Sequence, residues 1–99
     1  MRFTTAKSLI NLDPLPEICG IYFVVTAEDE IIYVGQTTNL KNRWKDGHKV
    51  LKRMLAEGID PTKARLEWQK FPKRLLNRVE NCAVRVHQPR LNEKSPPVL

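Results

Sequence analysis

Gly20-Ile21-Tyr22-Phe23-Val24-Val25-Thr26 and Ile31-Ile32-Tyr33-Val34 are the stretches that decide the fold. β-Branched and aromatic side chains suit a pleated, packed surface, and the polar run Ala27-Glu28-Asp29-Glu30 between them suits a turn, so together they predict a β-hairpin. Both strands are apolar at nearly every position, which implies that both faces are covered or that one face lines a site. Side chains alternate faces along a strand, and directly opposed residues of an antiparallel pair point the same way. A loop over 27–30 pairs Thr26 with Ile31, and any register whose paired residue numbers sum to an odd value places Tyr22 and Tyr33 on one face. A loop one residue shorter or longer would separate them.

Upstream, Asp13-Pro14-Leu15-Pro16 interrupts regular structure, so residues 1–17 read as an irregular lead-in with at most a short extended piece around Leu9 and Ile10. Downstream, Thr37, Thr38 and Asn39 offer capping side chains, and Leu40, Trp44, Leu51, Met54 and Leu55 recur at helical spacing, predicting one helix that Gly58 and Pro61 end. Lys41, Lys45, Lys49, Lys52 and Arg53 lie on its outer face. Ala64, Leu66 and Trp68 alternate with Arg65, Glu67 and Gln69 as in a half-buried strand, and Leu75, Leu76, Val79, Cys82, Ala83 and Val86 then repeat as the apolar stripe of a second helix. Trp44 and Trp68 fall at apolar-periodic positions and read as core. The expected fold is α/β, more narrowly α+β: a three-stranded antiparallel sheet with flanking helices over residues 18–93, followed by a frayed tail at 94–99.

Ninety-nine residues, 41% hydrophobic and 28% charged, suit one domain. No apolar run reaches the roughly 18 residues of a membrane span, so no membrane is expected as a partner. The amino terminus lacks the pattern of a cleaved leader, which makes the cytoplasm the expected location. Cys19 and Cys82 form no CxxC pair and read as small buried apolar residues. The formal net charge of +6 is polarised: residues 1–40 hold two cations against five acids, and residues 41–99 hold fifteen against six. A polyanion is the natural partner for such a chain, nucleic acid above all. The lysines of the first helix, with Arg53, would attract a phosphate backbone without reading sequence.

Gly20-Ile21-Tyr22, ten intervening residues and Tyr33-Val34-Gly35 resemble the signature of the GIY-YIG nuclease family, with Val34 in place of the usual isoleucine. Thr37-Thr38-Asn39-Leu40-Lys41-Asn42-Arg43-Trp44 is similar to the helix that carries that family's phosphate-facing arginine. Val79-Glu80-Asn81-Cys82 and His87-Gln88-Pro89-Arg90-Leu91-Asn92 resemble its second helix and exit, closest in pattern to the nuclease segment of the bacterial excision-repair incision subunit and to small stand-alone members. The resemblance implies a metal-dependent endonuclease acting on nucleic acid, DNA before RNA, with Mg²⁺ or Mn²⁺ as cofactor. It implies Tyr22 as general base or water positioner, Tyr33 as its companion, Arg43 on the phosphate, Glu80 as metal ligand and Asn92 in the lining of the site. A non-catalytic nucleic-acid-binding module on the same scaffold is the alternative, and a protein partner that supplies specificity is a further expectation.

The residues support those roles on their own terms. Phosphodiester cleavage needs an aligned water, a cation near the non-bridging oxygens and neutralisation of the leaving oxygen. Mg²⁺ takes one or two carboxylates and keeps several waters, so Glu80, at the edge of its helix's apolar stripe, can be a sole protein ligand. Arg43, at the border of the first helix's apolar face, offers a planar, permanently charged fork. Tyr22 must be acidified by Lys41, Arg43 and the metal if it is to deprotonate, because a free phenol has a pKa of about 10. His48 departs from the family pattern. It follows Arg43 by five residues where the family uses four, which on a continuous helix turns it about 140° away and leaves it as much a surface residue as a catalytic one. His87 reads as a turn residue. Asn92, both donor and acceptor, can order the site by hydrogen bonds.

Overall fold

A computed structural model of the protein describes residues 5–9, 11–45 and 48–92. Four strands form one antiparallel sheet in the order β1-β4-β2-β3, where β1 is Thr5–Ser8, β2 Gly20–Val25, β3 Ile31–Thr37 and β4 Arg65–Lys70. The expected three-strand sheet is thus one strand short. The extra strand lies inside the lead-in and pairs only with β4, from Thr5↔Trp68 to Ser8↔Arg65. Its sequence, TAKS, carries no apolar alternation. The exposed edge of β4 makes it a strand, and that cause is tertiary.

β2 is the centre of the sheet, and all six of its residues are buried. Tyr22 and Val24, with Leu66 and Trp68 of β4, pack on one face beneath Leu40 and Trp44 of α1 (Leu40–Trp44) and Val50 and Met54 of α2 (Lys49–Ala56). Ile21, Phe23 and Val25, with Val34 of β3, pack on the other face against Leu76 and Val84 of α3 (Leu76–His87). The apolar run in both hairpin strands is therefore explained by cover on both faces.

Tyr22 stands opposite Gly35 and Val24 opposite Tyr33, so the two phenols share a face. The route to that parity differs from the expected Thr26–Ile31 pairing. Thr26 instead pairs with Glu30 through its amide at 2.9 Å, and the Asp29 amide closes the turn onto the Thr26 carbonyl, also at 2.9 Å. Asp29 is left-handed at φ 66°, as in a three-residue loop that ends in a left-handed residue. Val25 then pairs with Ile31, and an irregularity between Val24 and Val25 leaves Ile32 as the extra residue that restores the register. Without that bulge the shorter turn would have sent Tyr33 to the far face.

The single first helix is also corrected. α1 ends at Trp44 and α2 starts at Lys49, with His48 in extended conformation between them at φ −144° and ψ 142°. Gly47, which falls inside the span expected for that helix, lies outside the described residues. Asn39 caps α1 as expected, its side chain accepting from the Asn42 amide at 3.1 Å. Leu55, expected on the buried stripe, is 67% exposed, because α2 turns Val50 and Met54 inward instead. Cys82 is exposed and Cys19 half-buried, so neither is the fully buried residue expected. The tail 94–99 lies outside the described residues.

β3 is an edge strand, and the segment after α3 covers part of it. The Leu91 amide donates to the Ile32 carbonyl at 2.9 Å. The Asn92 side chain then accepts from the Val34 amide at 3.0 Å and donates to the Val34 carbonyl at 2.9 Å, doing with one carboxamide what a neighbouring strand would do with its main chain. Arg53 donates to the Leu91 carbonyl at 2.8 Å and so ties this segment to α2.

Candidate active site

The glycines of the hairpin are dictated by close approach. A Cβ on Gly35 would collide with the ring and hydroxyl of Tyr22, which lies directly over it. A Cβ on Gly20 would meet the carbonyl of Gln69 on β4. Tyr22 is thereby laid flat against β3, 1% exposed, with Tyr33 stacked beside it at a ring separation of 6.3 Å and itself 8% exposed.

His48 completes the cluster: of the two placements the sequence left open, surface or site, it takes the inner one and is 6% exposed. Because the helix breaks before it, the wheel that turned it away from Arg43 does not apply. Its ring stacks on Trp44 at 4.5 Å and meets Tyr22 and Tyr33 edge-on at 5.6 and 5.3 Å. Its two nitrogens do different work. Nδ1 accepts the Val50 amide at 3.1 Å and so caps α2. Nε2 lies 2.8 Å from the Tyr22 hydroxyl. Burial, reinforced by the positive charge of Arg43, Lys49 and Arg53, holds the His48 pKa down at about 4, so the ring is neutral at pH 7 and carries one proton. An Nδ1 that accepts an amide cannot hold that proton, which must sit on Nε2 and be donated to the Tyr22 oxygen.

The phenol also feels the nearby Arg43 guanidinium and the charge of Glu80. Arg43 draws the Tyr22 pKa down, yet desolvation by burial is the largest influence, followed by repulsion from Tyr33, and the net result is a pKa raised above the ordinary phenol value. The expected acidification of Tyr22 by neighbouring cations is therefore outweighed. The phenol keeps its proton at neutral pH, and with His48 donating to the oxygen, that proton is what the group can offer a ligand.

Glu80 reaches this region from α3. It is half-buried, and its Oε1 accepts the Gln36 side-chain amide at 2.5 Å; the same Gln36 nitrogen donates to Asn77 Oδ1 at 2.7 Å. Gln36 and Glu80 lie on the α3 side of the sheet and the phenols on the other, but β3 is the edge strand. Glu80 and the phenols therefore flank the same edge strand from its two faces. Asn92 accepts from and donates to the β3 main chain at Val34, next to Tyr33 and Gly35.

Among the described residues no group of three or more His, Cys, Asp or Glu is assembled to hold a metal. Glu80 Oε2 has no protein partner among them either. One hard carboxylate oxygen on a half-buried side chain fits a Mg²⁺-type ion that keeps most of its water, and does not fit a closed zinc centre.

The cations divide into two kinds. Lys41, Lys45, Lys49 and Lys52 are exposed along α1 and α2, whereas Arg53 is half-buried on Leu91. Arg65 pairs with Asp29 at 2.7 Å and with Glu67, and Arg90 pairs with Glu30 at 3.3 Å, so their charge is answered locally. His87 is exposed and packs edge-on against Phe23 at 6.4 Å, outside the cluster. Sequence reasoning missed Gln36 and Asn77. The signal was available: the parity that puts Tyr33 and Gly35 on one face puts Gln36 on the other, beneath the helix that bears Glu80.

A family model of the GIY-YIG catalytic domain matches residues 18–91, and the chain belongs to that family. The fold is similar to the GIY-YIG N-terminal endonuclease domain of UvrC from Thermotoga maritima bound to its catalytic divalent cation, magnesium, at a TM-score of 0.61 and 22% identity over 78% of this chain and 85% of that one. A point mutant of the same Thermotoga maritima domain, also cation-bound, matches at 0.61 and 24% identity over 80% and 87%. A search of the curated proteins returned no match.

Proposed function

We propose that this domain is a metal-dependent endonuclease that hydrolyses phosphodiester bonds in nucleic acid, with DNA as the substrate. One observation carries the reading. Tyr22, Tyr33, Arg43 and His48 form one cluster, and the half-buried carboxylate of Glu80 bears electrostatically on the same Tyr22 hydroxyl. A structural role alone gives no reason for a buried phenol to meet an imidazole, a guanidinium and the field of an acid together.

Within this reading Glu80 would hold Mg²⁺ or Mn²⁺, and the ion, when bound, supplies neutralisation of charge on the leaving oxygen. Arg43 steadies the phosphate through its guanidinium fork. Tyr22 acts as a protonated donor that orients the attacking water or a phosphate oxygen, and Tyr33, the more open of the two phenols, shares that contact. His48 holds Tyr22 by donating to its oxygen. The exposed lysines of α1 and α2 attract the phosphate backbone and carry no sequence preference.

The non-catalytic alternative drew on the displaced position of His48 and on the lack of a second DNA-binding domain; the break between α1 and α2, which returns the ring to Tyr22, supports the catalytic reading on the first point. We place the domain in the cytoplasm, where two unpaired cysteines would stay reduced; no helix of the described residues is long and apolar enough to cross a membrane. A protein partner supplying substrate specificity completes the proposal, since the lysines cannot.

The test is cleavage of linear and branched DNA, and of RNA of the same sequences, by wild type and Glu80→Ala in Mg²⁺, Mn²⁺ or EDTA. Cleavage of DNA that needs the ion and Glu80 is expected. Equal cleavage by both proteins would remove the mechanism, and RNA cut in preference to DNA would reassign the substrate.

A further inference from the structure

The α3-facing side of β2 and β3 is apolar at Ile21, Phe23, Val25 and Val34, and Gln36 interrupts it at the end nearest Glu80. Both side-chain hydrogen bonds of Gln36 among the described residues leave from one atom: Nε2 donates to Glu80 Oε1 at 2.5 Å and to Asn77 Oδ1 at 2.7 Å. A primary amide nitrogen has two hydrogens, so both are used. Glu80 Oε1 can only accept, so it fixes which way the Gln36 amide faces, and Asn77 Oδ1 takes the second hydrogen. Asn77 and Glu80 are three residues apart on α3, hence neighbours on one helical face.

We propose that Gln36, its second amide hydrogen held by Asn77, is a positioning residue that locks the rotamer of Glu80 and keeps Oε2 turned toward the cation. The inference rests on the reading of Glu80 as the metal ligand. Its physical basis is general: a carboxylate that ligates a metal alone has no second protein ligand to hold its direction, and the groups hydrogen-bonded to its other oxygen set its orientation. With a single carboxylate in the site, that dependence is greatest. A bland reading exists, in which the Gln36–Glu80 bond only ties α3 to β3, and it makes a different prediction about the cation.

The experiment measures Mn²⁺ binding to the full chain by calorimetry and by the electron paramagnetic resonance of free Mn²⁺, together with thermal unfolding in EDTA. The proteins are wild type, Gln36→Leu, Asn77→Ala, Glu80→Ala and the double variant Gln36→Leu/Glu80→Ala. Gln36→Leu should weaken Mn²⁺ binding by about tenfold or more, the usual consequence of losing an outer partner of a metal ligand. Asn77→Ala, at an exposed helical position that tolerates alanine, should weaken it several-fold. Adding Gln36→Leu to Glu80→Ala should change Mn²⁺ binding no further, because the two act as one unit.

If Glu80→Ala loses Mn²⁺ while Gln36→Leu and Asn77→Ala bind it as wild type does, the tether is merely structural and the inference falls alone. If Glu80→Ala binds Mn²⁺ as tightly as wild type, the metal reading falls and takes the inference with it. A lowered unfolding temperature for Gln36→Leu with unaltered Mn²⁺ affinity would also overturn it.

Discussion

Lowering the pH should destabilise this domain through one identifiable group, His48. Its ring is 6% exposed and its pKa stands at about 4, against 6.5 for an unperturbed histidine. Between those values the unfolded chain binds a proton that the folded chain refuses, so unfolding takes up protons and stability falls as the pH falls. The contribution is fully present above pH 6.5, declines by about 1.4 kcal/mol per pH unit below it, and stops changing below pH 4. Across that window the loss is about 3 kcal/mol, or about 2 kcal/mol once solvent screening at the rim of the site is allowed for. The structural cause is specific: protonating the ring puts a hydrogen on Nδ1, which must then release the Val50 amide, and it places a charge beside Arg43, Lys49 and Arg53.

His48→Asn is the matched control, because asparagine caps a helix well and does not titrate in this range. Urea unfolding of both proteins from pH 7.5 to pH 4 isolates the histidine as the difference between two curves, with the carboxylates common to both. Wild type should lose about 2 kcal/mol more than His48→Asn. Nitrogen-15 spectra of the imidazole at pH 7 should show the proton on Nε2. Parallel curves, or a proton on Nδ1, would refute both the cap and the direction of the bond to Tyr22.

Gly35→Ala should cost about 1–3 kcal/mol, since its methyl must displace the Tyr22 ring, and it should separate the phenol from His48; urea unfolding and loss of the Nε2 proton's protection from exchange would report the two effects. Asn92→Ala removes two hydrogen bonds to Val34 at an edge that water can reach, so about 1–2 kcal/mol of stability should go and amide exchange at Val34 should accelerate, while exchange at Phe23 in the sheet interior should not. Lys45→Ala should lower affinity for duplex DNA and reduce the slope of log affinity against log salt by about 0.9 if that lysine neutralises one phosphate, whereas Arg90→Ala, whose charge is answered by Glu30, should leave the slope unchanged.

The linear order of side chains determined a good deal here. Alternation and β-branching announced β2 and β3, the apolar stripe announced α3, and the spacing of Gly20, Tyr22, Tyr33 and Gly35 announced the family. These are local patterns, legible because periodicity and turn chemistry act over a few residues at a time. What the tertiary structure decided is the set of facts that depend on partners distant in the chain. TAKS became β1 because β4 offered an edge, and Tyr33 stayed with Tyr22 because a bulge at Ile32 compensated for a shorter turn. His48 came inward because the chain between α1 and α2 breaks, and a broken helix voids any angle measured on a continuous one. Gln36 and Asn77 acquired meaning only when α3 was laid across β3. The Tyr22 ionisation was decided the same way: counting nearby cations predicts an acidified phenol, but burial outweighs them, and burial is a property of the packed molecule that no single stretch of sequence contains.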